Sequence, residues 1–94
     1  MYTLTYFAVF EPTVSGYSIY FPNFPGCIST GSDFEDASRQ AKEALTIHID
    51  GMLMDGDELP PPSSTAQIDP DTAPGYILSP ITIVAGAALL DRDS

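Results

Sequence analysis

Ninety-four residues make one small domain, with no room for a second core. Thirteen acids stand against three bases, Arg39, Lys42 and Arg92, for a formal charge of −10. That balance argues against direct binding of DNA or RNA, where cations must neutralise phosphates, and against docking on an anionic membrane. A basic protein partner, or simple solubility, fits the charge better. Apolar content of 44% with 11% aromatics is too high for a wholly disordered acidic chain. Cys27 is the one cysteine, so neither an internal disulfide nor a cysteine metal knuckle forms, and a reducing cytosol suits the chain. Met1-Tyr2-Thr3-Leu4 has no basic start and no long apolar run, so it does not read as a signal peptide. The apolar stretch from Ile81 to Leu90 is ten residues long, against the ~20 that span a bilayer. A cytoplasmic location is expected.

From Tyr2 to Phe10 the chain alternates as a strand. One face carries Tyr2, Leu4, Tyr6, Ala8 and Phe10. The other begins polar with Thr3 and Thr5 and ends apolar with Phe7 and Val9. Glu11 to Gly16 reads as a turn, and Tyr17 to Phe21 as the returning strand of a hairpin. Pro22-Asn23-Phe24-Pro25-Gly26 is a rigid loop, because two prolines remove two donors and fix two φ angles. Cys27 to Thr30 is a short third strand closed by Gly31.

A helix is expected to begin at Ser32, with Glu35 completing a capping box. At 100° per residue, Phe34, Ala37, Ala41, Ala44, Leu45, His48, Ile49 and Met52 fall in one stripe. The helix should stop near Met54 or Asp55, with Gly56 in the left-handed position beyond it. Residues 57–75 form an acidic, proline-rich connector in which Pro60-Pro61-Pro62 is extended. Tyr76 to Val84 reads as a last strand, which Pro80 confines to a sheet edge, a bulge or a break. The order β-β-β-α-β predicts a two-layer α+β domain over residues 1–84. It has a three-stranded antiparallel sheet plus a returning strand, parallel or antiparallel, and one long helix on one face. Residues 85–94 are left as a tail.

Candidate chemistry is sparse. Asp33, Glu35 and Asp36 crowd the helix start, where the dipole favours anions. Neighbours on a helix point in different directions, so these acids do not converge on a metal. Asp55, Asp57 and Glu58 lack calcium-hand spacing and read as solvated acids or acids facing a basic partner. His48 lies in the apolar stripe and reads as a packed residue, with a pH-sensing interface contact as the alternative. Cys27 reads as a buried thiol. Ser29, Ser32, Ser63 and Ser64 have no triad, with one histidine and no nucleophile elbow. No catalytic residue, metal or cofactor is expected. Ile47 and Met54 break the amphipathic rule, standing seven apart on the side of Asp36, Glu43 and Asp50. An apolar pair among acids is a candidate partner-binding patch, together with Asp55, Asp57 and Glu58. The second sheet face, with Phe7, Val9 and Tyr20, is a candidate for pairing copies into a homodimer or higher homo-oligomer.

The run Gly16-Tyr17-Ser18-Ile19-Tyr20-Phe21-Pro22-Asn23-Phe24-Pro25-Gly26-Cys27 resembles the hallmark of the HicB antitoxin family. The likeness continues through Thr30-Gly31-Ser32 and Glu35-Asp36-Ala37 to Ala41-Lys42-Glu43-Ala44-Leu45. Tyr6 to Pro12 looks like the family's first strand, and Asp55 to Ser63 like its post-helix segment. The resemblance covers about residues 4–63, with 76–84 matching as a final strand. It implies a degenerate RNase H-like fold whose framework uses Gly16, Tyr17, Phe21, Pro22, Pro25, Gly26, Cys27, Gly31, Glu35 and Ala37. It implies an antitoxin that covers a small basic mRNA-cleaving toxin of the HicA type. Two other readings are a stand-alone oligomeric interaction module and a residual metal-dependent nuclease. The chain departs from the family pattern in three places. No DNA-binding segment follows Val84, the loop has Asn23-Phe24 where an acid and a leucine are commoner, and the apolar run 85–90 has no family role.

Overall fold

The computed structural model describes residues 2–62 and 75–86. Its elements are β1 (Tyr2–Thr13), β2 (Gly16–Tyr20), β3 (Ile28–Gly31), α1 (Phe34–Met54) and β4 (Ile77–Ala85). The four strands form one sheet in the order β3-β2-β1-β4, and every neighbouring pair is antiparallel. The expected α+β class and two-layer order stand. The returning strand takes the antiparallel option, with its register running from Tyr2 opposite Ala85 to Phe10 opposite Ile77.

β1 is long because its two partners are offset along it. Tyr2 to Phe10 pair with β4, Val9 to Thr13 pair with β2, and Val9 and Phe10 pair with both. The expected six-residue turn is therefore a two-residue one, Val14-Ser15. The ladder continues through Glu11 opposite Ser18, Pro12 opposite Tyr17 and Thr13 opposite Gly16. Pro12 is tolerated because β4 ends at Phe10 and leaves that side of the strand open. Pro80 sits in β4, an edge strand, for the same reason.

One face of the sheet meets the helix. Tyr6, Ala8 and Phe10 of β1, Ile19 of β2, and Ile81 and Ile83 of β4 are buried there. They pack against Ala37, Ala41, Leu45 and Ile49, the centre of the predicted helical stripe. Phe34 at the helix start stays partly exposed but stacks on Phe10 at 4.8 Å and meets Tyr17 edge-on at 6.2 Å. The proline loop folds inward. Phe24 N–H donates to the Phe21 carbonyl and Cys27 N–H to the Phe24 carbonyl, which buries Phe24 and Cys27. Phe24 lies edge-on between Tyr6 and His48, at 4.6 and 5.5 Å. His48 is thus a half-buried packing residue, and burial pushes the Cys27 thiol above its usual pKa, away from the reactive thiolate.

The helix starts one residue later than the capping box predicts. Asp33 is the N-cap, and its side chain accepts from Asp36 N–H at 2.7 Å. Asp36 in turn accepts from Ser32 N–H at 3.0 Å. A carboxylate at the cap outcompetes the serine hydroxyl by adding charge at the positive end of the dipole. Glu35 is left exposed in the first turn. The far end closes as predicted. Asp57 N–H reaches back to the Met52 carbonyl and Gly56 N–H to that of Leu53, with Gly56 at φ +77°. That is the Schellman pattern, which needs a left-handed residue.

Close approach of helix and sheet depends on two glycines. A β-carbon on Gly31 would collide with the Ala37 backbone, and one on Gly16 with the Gly31 carbonyl. After the helix, Leu59 packs on the core. The Tyr6 hydroxyl donates to the Pro60 carbonyl at 2.6 Å and Asn23 Nδ2 to that of Pro61 at 3.4 Å. The first part of the predicted connector is therefore tied down, and residues 63–74 lie outside the described residues. The predicted tail gives up Ala85 to β4, and Gly86 N–H donates to Asp50 Oδ1 at 2.7 Å. Residues 87–94 also lie outside the described residues.

Two glycine substitutions should act in opposite directions. Gly31→Ala should cost about 1–3 kcal/mol in urea unfolding, because backbone must move to admit the methyl. Gly51→Ala, in the helix with open space around it, should stabilise by up to about 1 kcal/mol. Asp36 predicts a pH signature. The Ser32 N–H, against some desolvation and with help from the Ser32 hydroxyl, Arg39 and Gln40, holds its carboxyl below the usual range. Its contribution is complete above the ordinary aspartate pKa of about 4 and is lost as pH falls through the lower folded-state value. Asp36→Asn should flatten the acid limb of the stability profile, measured by thermal melts between neutral pH and the onset of acid unfolding.

Candidate partner-binding surface

With one helical face spent on the sheet, the opposite face of α1 points away from the molecule. Along it lie Arg39, Glu43, Ile47 and Met54, all exposed. Ile47 is 66% exposed and Met54 49% exposed, both high for large apolar side chains on an otherwise polar ridge. Just beyond, Asp55, Asp57 and Glu58 are exposed on the capping loop.

The candidate residues separate into two sets. Asp36 is engaged at the helix start with Ser32 and forms an ion pair with Arg39. Asp50 is half-buried and holds Gly86 N–H. Both carboxylates are committed to intramolecular bonds. Glu43, Ile47, Met54, Asp55, Asp57 and Glu58 are exposed, the first three along one ridge of α1 and the acids at and after its C-cap, with no intramolecular ion pair among the described residues.

The electrostatics of that strip are unfavourable for the isolated chain. Acids near a helix C-terminus face the negative end of the macrodipole, an effect confined to the last turn and its cap. The last turn of α1 carries no base to offset them. By contrast, Asp33, Glu35 and Asp36 sit at the favourable end and work there as cap and counter-charge. Among the described residues, no group of three or more metal-ligating side chains comes together. A hollow of about 820 Å³ beside β3 is lined largely by hydroxyl residues such as Ser18, Ser29 and Thr30. Its one charged residue, Asp36, is already bonded to Ser32. No helix among the described residues is long and apolar enough to cross a membrane.

The framework residues hold the domain together. Gly16, Gly31 and Ala37 allow the close approach at the helix start. Tyr17 packs on Phe10 at 6.2 Å, and Phe21 and Cys27 are buried. Pro22 and Pro25 are exposed on the loop, and Gly26 takes φ +90°. On the second sheet face, Val9 and Tyr20 have company that the strand patterns signal only weakly. Ile28 and Leu78 stand in line with them across the sheet. The period-two alternation of β4, with Leu78, Pro80, Thr82 and Val84 on one side, is the signal that could have found that face.

Comparison with known proteins agrees with this architecture. The model of a family described as HicB-like antitoxin of bacterial toxin–antitoxin system matches residues 6–85, and so takes in β4. A protein of Haemophilus phage HP1, described as an uncharacterised 14.9 kDa protein of the rep–hol intergenic region, is 46% identical over 50 residues. That match covers 53% of this chain and 38% of the phage protein. A chain of a HicA3 and HicB3 toxin–antitoxin complex superposes with a TM-score of 0.70 at 34% identity, covering 86% of this chain and 99% of that one. A toxin–antitoxin complex from Streptococcus pneumoniae shares the fold, with a TM-score of 0.77 at 19% identity over 98% of this chain and 88% of its own. A match over residues 6–85 takes in both sheet edges and the whole of α1, and the chain therefore belongs to the HicB-like antitoxin family of bacterial toxin–antitoxin systems.

Proposed function

We propose that residues 1–84 act in the cytoplasm as a toxin-binding domain. It neutralises a small basic mRNA-cleaving toxin of the HicA type by covering it, without catalysis of its own. One observation carries the reading of the surface. Exposed Ile47 and Met54 run into Asp55, Asp57 and Glu58, acids held at the wrong end of a helix dipole with no base in the last turn. A basic partner would turn that cost into complementary pairing, while the two apolar side chains supply contact that water does not oppose. The solved toxin–antitoxin complexes that share this fold support a toxin as the partner. The acids at the other end of the helix are used for capping, which leaves the C-terminal strip as the charged recognition element.

The test is capture of the natively expressed chain with intact-mass readout. A copurifying small, Lys/Arg-rich protein that cleaves mRNA once released is the expected result. A folded chain that retains no such companion in its native host overturns the reading. With a toxin in hand, Asp55→Lys/Asp57→Lys/Glu58→Lys should weaken the complex by about 10- to 1,000-fold, chiefly through slower association and a flatter salt dependence. Ile47→Asp should act mainly through faster dissociation, at about 1–3 kcal/mol. Circular dichroism of each free variant checks that the fold is retained.

A further inference from the structure

A sheet has two edges, and this one treats them differently. Among the described residues the sheet ends at β4 on one side and at β3 on the other. β4 carries Pro80 near its middle, which has no N–H to offer an added strand. β3, Ile28-Ser29-Thr30-Gly31, carries neither proline nor charge, and its shortness is its one defence against pairing. No backbone bond among the described residues joins it to anything but β2. Its side chains are open too, with Ile28 70% exposed and Thr30 exposed. The hollow of about 820 Å³ takes in all four residues of β3. Ser18, across from Thr30, bounds it on one side, and Asp36 and Gln40 of α1 on the other, so it straddles the free edge of the strand. Strands lie about 4.8 Å apart, rise about 3.3 Å per residue and make a layer about 10 Å thick, so four added residues fill roughly 600 Å³. The hollow has room for them.

The side chains along the edge select the occupant. Cross-strand partners share a face, so Ile28 and Thr30 look outward with Tyr20 and Ser18, and Ser29 looks toward the helix with buried Ile19. A strand laid beside β3 meets an apolar side chain at Ile28 and a hydroxyl at Ser29. At Gly31 it meets no side chain and reaches the helix start, where Asp33 and Glu35 are exposed beside Asp36. A second copy with its charge of −10, or any acidic segment, would bring more negative charge to that end. We propose that the free edge of β3 receives an extended basic segment of another protein as a fifth strand. The backbone supplies the pairing, an apolar side chain of the segment packs at Ile28, and a lysine or arginine near Gly31 faces the acids. This surface lies at the opposite end of α1 from Asp55, Asp57 and Glu58, about 30 Å away along a 21-residue helix.

This inference stands apart from the toxin reading, and its test needs no toxin. The probe is a blocked peptide, acetyl-Lys-Lys-Thr-Val-Thr-Val-amide, titrated into the isotope-labelled full chain and followed by backbone amide NMR. Saturable shifts centred on the amides of Ile28 to Gly31, at millimolar peptide or below, are the expected result. Methylating the backbone nitrogens of the peptide should abolish them, since strand addition uses those donors. Replacing its lysines by glutamates should weaken binding at least tenfold. Ile28→Lys, a charge of the kind that blocks edge pairing, should do the same at high salt as well as low, with helical content and melting temperature close to the parent. Glu35→Gln should weaken binding by up to about fivefold at low salt and leave the high-salt value unchanged. Val84→Lys, at an exposed position of the other edge strand, should leave binding intact. Shifts that are absent into the millimolar range, that survive backbone methylation, or that centre on Asp55 to Glu58 overturn the proposal. So does a free chain in which every amide from Ile28 to Gly31 is protected from hydrogen exchange, because its edge is then already closed.

Discussion

The structure depends on one contact, the close seating of a single helix on a small sheet. The domain has no second helix in its described layers, so the stripe Ala37, Ala41, Leu45, Ile49 supplies nearly all the helical half of the core. The stripe is graded. Ala37 at the N-terminal end meets Gly31 almost backbone to backbone, and the larger Leu45 and Ile49 follow toward the C-terminal end. The glycine on β3 and the alanines on α1 are two halves of one steric requirement. Close packing of this kind tolerates little volume change, and a core this small has few other contacts to absorb it.

That seating also decides what the rest of the surface can do. A helix buried on one face must present its opposite face to solvent, and here that face carries Glu43, Ile47 and Met54. The same dipole that rewards Asp33 and Asp36 at the N-terminus penalises Asp55, Asp57 and Glu58 at the C-terminus. Residues of one chemical type thus play opposite energetic parts at the two ends of one helix. The stabilised ones are engaged in hydrogen bonds, and the destabilised ones are exposed. A local rule broken without internal compensation is where a site for a partner is expected.

Much of the fold was legible because the signals were local. Alternation marked Tyr2 to Phe10, the 3.6-residue stripe marked the helix, and Gly56 marked its end. What escaped depended on context. The turn after Phe10 looked long because Glu11 and Pro12 are poor strand residues, yet β2 pairs with both and the open side spares the proline. The N-cap moved from Ser32 to Asp33 because two adjacent residues could both cap, and propensity does not separate them. The direction of the returning strand lay beyond any local signal. The site was half legible. Ile47 and Met54 stood out as apolar residues on a polar ridge, but periodicity could not show that Asp36 and Asp50, on the same ridge, are spent on Ser32 and Gly86.

A two-layer domain has two outer surfaces, and this one divides its chemistry between them. The helical side carries the acids around a small apolar pair. The sheet side carries a wider apolar band in which tyrosine is the one ionisable side chain. The division follows from the topology. Strand residues alternate, so the sheet's outer positions can be filled with hydroxyl and apolar groups independently of the core. Helical residues on the outer ridge sit close to the ends of a dipole and so acquire electrostatic meaning from position alone.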